Sequence, residues 1–598
     1  MSTIRYTVSM PQPETHLFHV EVAVSGLAQP VHDFVMPSWT PGSYLIREFA
    51  RHVQEFQALD ASGTPLPWHK LNKNTWRVES GAPDLTLRYK VYANELTVRT
   101  SHLDTSHGYF NGANLFVYLD GQRGHPVELR IVPAHSDWKV ATGLPATPAD
   151  YGVGNGGSVG PRPSETGGLR YAFRADDYDH LIDCPVEISN HRLLRFEVDG
   201  VLHRIAVWGH GNEDPERLRA DTQAVVQVAR DIFGGLPYDN YLFILHLTER
   251  RGGGLEHRNS STNAVSRWSF RKPADYERAI ALLAHEFFHT WNVKRILPAS
   301  FQDFEYRWET YTRLLWVMEG FTTYYELVLL VRAGLITPER MLAILGERIL
   351  RLLQTPGRHF QSAESASFDA WIKFYRPDEN TQNTTVSYYL KGSLIAMLLD
   401  LEIRERTGSQ RSLDDVLVKT YRDYTLHQRG ITDDEFQAVC EEVAGGSLQA
   451  FFDDYVRGVA ELPFETYLAK AGLAMTFGYK GDEYGERAAG LGVRVKDEDG
   501  HTLVQTVFAD GPAYHADISP GDEIIAIDGY RVGKETIGDR LGDRQIGERV
   551  TVTCFRRDEL RSVEITLGQR PFNRLDITPR ADATAEQREI YEGWLGAA

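Results

Sequence analysis

Two histidines four residues apart, with a glutamate directly after the first, are the residues whose types and spacing point most directly to chemistry. They are His285 and His289 in the segment AHEFFHT, and the glutamate is Glu286. On an α-helix both imidazoles lie on one face, one turn apart, and can bind a single metal ion. Glu286 then lies beside the ion as a general base, so the spacing predicts a zinc site. The alternative interpretation is a pair of helix histidines that are satisfied by ordinary hydrogen bonds.

A catalytic zinc ion needs a third protein ligand and one open position for water, and a carboxylate is the usual companion of two histidines. Glu319, in the segment LWVMEGFTTYYE, is the candidate, because two helices packed side by side would let it face the histidines. Glu309 is closer in sequence, and spacing alone leaves both carboxylates open. Glu326 follows on the same helix face as Glu319, where it could accept the second N–H of a ligand histidine.

Helices must position these residues, and the sequence predicts one over about residues 274–296. Pro273 lies near its start, and Lys294 and Arg295 lie in its last turn. A second predicted helix, over about residues 310–332, carries Glu319. Further helical patterns occur near residues 338–355, 384–406 and 432–444. The middle of the chain is therefore predicted to be mostly helical.

Short alternating segments separated by Gly, Pro, Asn and Asp predict β structure at both ends of the chain. Residues 1–185 are predicted to form a β-rich, sandwich-like domain, and residues 474–572 a compact β-rich module. Residues 186–473 are predicted to form the mainly helical domain between them, and residues 573–598 a tail with a short helix at most. The predicted fold class is a multidomain α+β protein.

The composition argues against several classes of function. A formal net charge of −18 disfavours nucleic-acid binding, which needs Lys and Arg to neutralise phosphates. The three cysteines, Cys184, Cys440 and Cys554, are too few and too far apart for a disulfide framework, and we expect buried thiols. No apolar run is long enough to span a membrane, and the first residues lack the pattern of a signal peptide. We therefore expect a cytoplasmic protein without membrane or nucleic-acid partners.

Six segments carry a resemblance to a known family: FVMPSWTPGSYLIREFARHV, GGGLEH, HEFFHTWNVKR, LWVMEGFTTYYE, SYYLKG and the C-terminal module that begins at GLGV. Together they resemble the glycyl aminopeptidase family of gluzincin zinc metallopeptidases over nearly the whole chain. The resemblance implies a β-sandwich-like N-terminal domain, a mainly helical thermolysin-like catalytic domain and a C-terminal PDZ-like domain. It also implies one Zn²⁺ per chain, bound by His285, His289 and Glu319, because the LWxxEG context favours Glu319 over Glu309.

Two of these segments supply further expected site residues. In GGGLEH, the resemblance implies that Gly253 and Gly254 let an extended substrate lie against the strand, while Glu256 binds the amino terminus of the substrate. In SYYLKG, it implies that Tyr389 donates to the oxyanion of the tetrahedral intermediate. Tyr388 is the adjacent alternative.

The C-terminal module resembles a PDZ domain, whose peptide-binding loop would be formed by Gly490, Leu491, Gly492 and Val493. Such a loop can bind a peptide C-terminus while the neighbouring strand edge takes the peptide as an added strand. The resemblance as a whole implies a zinc-dependent aminopeptidase that removes glycine or alanine from peptides with a free amino terminus. The alternatives are a zinc endopeptidase that recruits substrates through its PDZ domain, and a PDZ-bearing binding scaffold with a vestigial site.

Overall fold

A computed structural model of the chain describes residues 3–147, 152–153, 159–160, 162–163, 169–250, 252–480 and 489–596. The chain is β-rich at both ends and helical between them, which confirms the predicted multidomain α+β fold class. Contacts between residues divide the chain into two compact units, and each unit is described by itself. The first unit contains Met1–Tyr311 and Tyr424–Gly430, and the second contains Thr312–Asp423 and Ile431–Ala598. The boundaries predicted for the domains stay a prediction.

The first part of the first unit contains three larger β-sheets. Buried and partly exposed residues alternate along the strands Thr3–Ser9 and Leu17–Ser25, so one sheet face lines an apolar core. The seven-stranded sheet has the order Arg162–Pro163, Leu169–Ala175, Val127–Val132, Thr3–Ser9, Leu17–Ser25, Leu85–Tyr92, Val53–Asp60. A four-stranded sheet has the order Tyr118–Leu119, Val31–Val35, Thr75–Glu79, Trp68–Asn72. A second four-stranded sheet has the order Lys139–Thr142, Val186–Ser189, His107–Phe110, His102–Leu103.

Short elements connect these sheets. The helix Tyr178–Ile182 begins after Asp177, whose carboxylate accepts a hydrogen bond from the backbone N–H of His180. The strands Gly152–Val153 and Val159–Gly160 pair with each other. The turns of 3₁₀-helix are Pro13–Thr15, Phe49–His52 and Gly112–Asn114.

A five-stranded sheet follows in the first unit, in the order Arg192–Val198, Val201–Trp208, Asn240–Thr248, Ser260–Ser266, Gly253–Glu256. Its central strand, Asn240–Thr248, pairs in parallel on both sides, and its interior residues are all buried. Such strands read as continuous apolar runs because both faces of the sheet are covered. The helices Pro215–Phe233 and Pro273–Phe288 pack against this sheet and against each other.

The helix Tyr388–Thr407 is the centre of the second unit. Every residue from Lys391 to Arg404 is buried, so this helix has no polar face. Around it lie Leu315–Met318, Gly320–Arg332, Pro338–Leu353, Ala363–Phe368, Leu413–Asp423, Asp433–Ala444, Phe464–Lys470 and Ala585–Leu595. The unit also contains the shorter helices Thr381–Thr384 and Gln449–Phe451, the π-helical turn Phe452–Arg457, and the 3₁₀ turns Pro356–His359 and Asp369–Trp371.

A small β-module with its own apolar core forms the C-terminal part of the second unit. Its strands are Ala489–Gly490, Val493–Glu498, His501–Val507, Glu523–Ile527, Tyr530–Arg531, Arg549–Arg556, Glu559–Thr566 and Gly568–Gln569. The module also contains the α-helix Ile537–Gly542 and the 3₁₀ turn Tyr514–Ala516. The flanking strands Leu473–Gly478 and Arg574–Pro579 pair with each other.

The helix Ala585–Leu595 returns the chain to the helical part of the second unit. Its Trp594 is buried, and the indole Nε1–H donates to the hydroxyl of Tyr324 at 2.5 Å. Tyr324 in turn donates to the Asp400 carboxylate at 2.7 Å on the helix Tyr388–Thr407. The last helix is therefore part of the core of this unit.

Two predictions from composition can be compared with the structure. Cys184, Cys440 and Cys554 are all buried free thiols, as expected. Among the residues that the structure describes, no helix is long and apolar enough to cross a membrane.

Candidate active site

The helix Pro273–Phe288 carries the first histidine and the neighbouring glutamate. Proline occupies its first turn, where a missing N–H costs nothing. His289 follows as the C-terminal cap, and its backbone N–H donates to the carbonyl of His285 at 3.3 Å. The two imidazole rings lie edge to face with centroids 4.7 Å apart. His285, Glu286 and His289 are all buried. The predicted common face is therefore present.

This helix ends earlier than predicted, at Phe288 rather than near residue 296. The reason is a set of tight turns that the Arg295 guanidinium stabilises by donating to the carbonyls of Thr290, Pro237 and Arg258 at 2.6, 2.7 and 3.0 Å. A side chain predicted to end the helix instead satisfies carbonyl groups from three separate segments.

The turn also fixes the orientation of His289. Its Nδ1 lies 2.6 Å from the carbonyl oxygen of Asn292, and a carbonyl only accepts, so Nδ1 carries the hydrogen. The neutral ring then has its lone pair on Nε2, the arrangement of a metal-binding histidine with a backbone partner. The carbonyl of Asn292 therefore accepts the second N–H of His289, which is the role that was predicted for the Glu326 carboxylate. Glu326 itself forms an ion pair with Arg348, and for His285 its predicted role stays a prediction.

Two carboxylates and one histidine come together in the first unit. Glu256, Glu286 and His289 each offer a ligand atom within 4.8 Å of the others. Gly254 lies directly against this group, since a Cβ added there would be only 2.1 Å from Glu286 Oε1. Any side chain at this position would displace the carboxylate of Glu286. The strand Gly253–Glu256, which holds two predicted substrate-binding glycines, thus lies beside the predicted base.

One edge of this strand has no strand partner among the described residues. It pairs antiparallel with Ser260–Ser266 and is the last strand of the five-stranded sheet. An extended peptide can therefore add to its outer edge through main-chain hydrogen bonds.

Glu256 is almost fully buried, with a relative exposure of 3%. Among the residues that the structure describes, its Oε1 has no hydrogen-bond partner. A buried carboxylate oxygen in this state is costly unless a donor or cation is supplied. The geometry of Glu256 therefore suits the binding of a positively charged group.

A network behind Glu256 holds the neighbouring backbone. Asp183 accepts from Lys294 at 2.8 Å and from the backbone N–H of Arg258 at 2.8 Å, and lies 3.2 Å from Nδ1 of His257. Burial by itself would raise the pKa of Asp183, but the charges of Lys294 and His257 hold it below its usual range. Burial likewise opposes the charge on Lys294, whose pKa is nonetheless raised by Asp183 and Glu256.

Gly42 is a residue of this site to which the sequence analysis assigned no role. It lies in a tight turn of the segment FVMPSWTPGSYLIREFARHV, with φ +83°. A Cβ there would be 2.6 Å from both carboxylate oxygens of Glu256 and from Cδ1 of Leu255. The Pro-Gly pair was the available signal, but nothing local in the sequence says which residue the turn contacts.

Glu319 belongs to the second unit. It lies at the junction of the helices Leu315–Met318 and Gly320–Arg332 and is 2% exposed. Its backbone stays helical, because its N–H donates to Leu315 and its carbonyl accepts from Thr323, both at 2.8 Å. Glu309, the alternative ligand, lies in the first unit in an irregular segment and is partly exposed. Glu319 is thus a buried carboxylate held on helical backbone, whereas Glu309 is neither fully buried nor in a helix.

Two glycines bring the helices of Glu319 and Tyr389 into contact within the second unit. A Cβ on Gly320 would lie 2.6 Å from Cα of Gly392, and one on Gly392 would lie 2.4 Å from the carbonyl oxygen of Trp316. The glycines of the segments LWVMEG and SYYLKG therefore meet at one helix crossing. Glu319 directly precedes one of them and Tyr389 lies three residues before the other.

Tyr388 and Tyr389 are the first residues of the helix Tyr388–Thr407, which Ser387 caps by accepting from the N–H of Leu390 at 3.3 Å. Their rings stack with centroids 4.8 Å apart, and the Phe374 ring contacts both. Tyr388 is fully buried, whereas Tyr389 is partly exposed.

The predicted peptide-binding loop lies in the C-terminal β-module. The carbonyls of Leu491 and Gly492 accept from the N–H groups of Ala513 and Phe508 at 2.8 and 2.9 Å. Gly490 pairs with Gly568, and Val493 begins the strand Val493–Glu498, an end strand of its sheet.

Comparisons with known proteins agree along the chain. Residues 5–190 match the Peptidase M61 N-terminal domain, residues 278–395 match the M61 glycyl aminopeptidase, and residues 489–567 match the PDZ domain. A search of curated proteins gives no match.

Among solved structures, an aminopeptidase N family protein from Idiomarina loihiensis is 30% identical and superposes with a TM-score of 0.90 over 99% of this chain and 100% of that chain. An M1 zinc metallopeptidase from Deinococcus radiodurans is 16% identical with a TM-score of 0.47, over 77% of this chain and 94% of that chain. The second similarity is too weak to carry an argument.

The matches confirm the resemblance predicted from the six segments. They cover the N-terminal region, the segment with both histidines and Glu319, and the C-terminal module. The chain therefore belongs to the M61 glycyl aminopeptidase family and is a zinc metallopeptidase of the aminopeptidase type, with a C-terminal PDZ domain.

Proposed function

We propose that this protein hydrolyses the first peptide bond of peptides with a free amino terminus, using one zinc ion bound by His285, His289 and Glu319. The observation that carries the proposal is the buried carboxylate of Glu256, which lies beside Glu286 and His289. A peptide on the edge of the strand Gly253–Glu256 would present its ammonium group to Glu256. The first peptide bond would then lie next to the predicted base.

The proposed ligands fit zinc. Two imidazoles and one carboxylate are the donor set of many catalytic zinc sites. His289 has the tautomer that such a ligand needs, since Nδ1 donates to Asn292. Zinc would supply a Lewis acid and lower the pKa of a water molecule toward neutrality.

The acid-base work falls to Glu286. In the proposed reaction its carboxylate takes a proton from the attacking water and gives it to the leaving amine. Because Gly254 has no side chain, this carboxylate can lie directly beside the strand on which we propose the substrate binds. The burial of Glu286 supports the role, because a dry surrounding strengthens its interaction with a proton donor.

Tyr389 is the proposed donor to the oxyanion. Its partial exposure supports this choice over Tyr388, whose ring is fully buried. A preorganised hydroxyl donor typically contributes ~3 kcal/mol to the stabilisation of such a transition state.

We also propose a small first residue, glycine or alanine. Gly42 approaches the Glu256 carboxylate so closely that even a methyl group at position 42 would collide with it. Tight packing around the group that binds the ammonium leaves little room for a large side chain on the adjacent substrate carbon. The family description, glycyl aminopeptidase, supports the same preference.

The test compares free and acetylated peptides with glycine, alanine or leucine first, using the wild type and Glu256→Gln. We expect the wild type to cut only free termini and to prefer glycine and alanine. Glu256→Gln should lose at least ~10-fold in kcat/KM on these, because the charge pairing with the ammonium is lost. Glu249→Gln, an exposed glutamate just before the strand, is the matched control.

A second candidate function, an endopeptidase that recruits substrates through its PDZ domain, has support from the end strand Val493–Glu498. Its outer edge, which pairs with no strand among the described residues, can take a peptide C-terminus as an added strand. Efficient cleavage of acetylated peptides in the same panel would favour this function and contradict the aminopeptidase proposal.

A further inference from the structure

A second group of two histidines and a glutamate lies in the first unit, outside the residues proposed for catalysis. His107 is on the strand His107–Phe110, Glu187 on the neighbouring strand Val186–Ser189, and His246 on the central strand Asn240–Thr248. All three side chains have 0% exposure. The group therefore joins a sheet of the N-terminal region to the five-stranded sheet that carries Glu256.

The geometry of this group is that of a metal site. One ligand atom from each of the three residues lies within 4.8 Å of the others. His246 Nε2 is 2.9 Å from Glu187 Oε2. The His107 ring stacks on Trp208 with centroids 3.7 Å apart, and Trp208 is the cross-strand neighbour of His246. Packing on Trp208 thus holds the His107 ring, and the contact with Glu187 holds the His246 ring.

Four polar atoms of the group have no hydrogen-bond partner among the described residues. They are both ring nitrogens of His107, Nδ1 of His246 and Oε1 of Glu187. Asp104, the other carboxylate near His107, is 4.0 Å from its Nδ1, beyond hydrogen-bond distance. Buried polar atoms are normally satisfied, so several unpaired atoms within one close group of metal-binding side chains indicate a missing ligand.

The buried negative charge of Glu187 also indicates a bound cation. Among the described residues, Glu187 forms no ion pair with a lysine or arginine, although it is fully buried. A buried carboxylate needs a cation close by.

We propose that His107, Glu187 and His246 bind a second divalent cation of the zinc type, which ties the two sheets together. Imidazole nitrogen with a carboxylate oxygen is a donor set that zinc favours. His102, whose ring centroid is 5.0 Å from that of His107, is a nearby imidazole that could complete a tetrahedral set. Because all three ligands are buried, this ion would stabilise the fold and would not contact a peptide.

The test counts zinc per chain by inductively coupled plasma mass spectrometry, after dialysis against Zn²⁺ and gel filtration. The full-length double variant His285→Ala, His289→Ala removes two proposed catalytic ligands and should keep one zinc per chain. The wild type should hold two. Absence of zinc from the double variant would by itself overturn the proposal of a second site. A double variant with as much zinc as the wild type would contradict the catalytic ligands and leave the second site standing.

Adding Glu187→Gln to the double variant should remove the remaining zinc and abolish the rise in melting temperature that Zn²⁺ produces. The matched control is His203→Gln in the same background, because His203 is equally buried but both its nitrogens have partners, Val201 and Tyr238. Circular dichroism checks that each chain is folded. Equal zinc content with and without Glu187→Gln would overturn the proposal.

Discussion

Glu286 is the residue on which the proposed chemistry depends most. Its carboxylate lies against Gly254 and near both Glu256 and His289. Glu286→Gln keeps the size and shape of the side chain, but an amide cannot accept a proton from water as a carboxylate does. We expect kcat to fall by at least ~100-fold while bound zinc is unchanged, because Glu286 is not a proposed ligand. The measurements are steady-state kinetics on alanine peptides and zinc content. Glu277→Gln, on the same helix, is the control, and full activity of the Glu286 variant would contradict the base assignment.

Lys391 gives a prediction about pH. It is 1% exposed, and its Nζ has no hydrogen-bond partner among the described residues. Burial lowers the pKa of Lys391 from 10.5 to about 8. Between these values the unfolded chain binds one more proton than the folded chain, so this residue makes the free energy of unfolding rise with pH from about 8 to 10.5.

Lys391→Met should therefore stabilise the protein most at neutral pH and lose that advantage in alkali. A pKa change of this size corresponds to about 3 kcal/mol between the two ends of the window. Urea unfolding of both chains at pH 7 and pH 10 measures the difference. Lys373→Met, a surface lysine, should show no such dependence. If the difference in free energy of unfolding between Lys391→Met and the wild type is the same at pH 7 and pH 10, the lowered pKa of Lys391 is refuted.

At the scale of the elements, the crossing of the helices Gly320–Arg332 and Tyr388–Thr407 is the feature with the clearest consequence. Gly392→Ala would place a methyl group 2.4 Å from the Trp316 carbonyl. Overpacking of this kind typically costs 1–3 kcal/mol, so we expect about 2 kcal/mol less stability and weaker activity, as Glu319 and Tyr389 move apart. Gly538→Ala, which has open space around it, is the control in urea unfolding. Unchanged stability of Gly392→Ala would show that the helices can separate freely.

The elements also show what a local pattern can predict. Apolar periodicity and Pro273 were enough to identify the helix of His285, because both act within one segment. They did not locate its end, since that depends on Arg295 reaching the carbonyls of Pro237 and Arg258. The helix expected from residue 310 begins only at Leu315, where the N–H of Trp316 donates to the hydroxyl of Ser367.

At the scale of the whole molecule, residues far apart in sequence complete the candidate site. Asp183, which contacts Lys294, is 111 residues before it, and Gly42 is more distant still from Glu256. Sequence motifs indicated the histidines, Glu286 and Glu256 because each belongs to a compact segment. They indicated a turn at Gly42 but not its contact with Glu256, and they carried no signal for Asp183 or for the group of His107, Glu187 and His246. Those contacts arise only when separate sheets pack.

A link inside the second unit connects the PDZ domain to the segment before Tyr388. The Asn383 side chain donates to the carbonyl of Val507 and accepts from the N–H of Ala509, both at 2.9 Å. Asn383→Ala should release this turn, so hydrogen exchange of residues 505–511, measured by mass spectrometry, should become faster. Thr384→Ala, an exposed neighbour, is the control. Unchanged exchange in the Asn383 variant would mean that the link does not hold the turn.

The hydrogen bond from Trp594 to Tyr324 has a consequence for biosynthesis. Tyr324 lies on the same helix that follows Glu319, yet its partner is made some 270 residues later. The core around Tyr324 therefore cannot be complete until Trp594 has been synthesised, long after the helix Gly320–Arg332 itself. We expect the second unit to reach its final packing, and with it full peptidase activity, only after this late contact has formed.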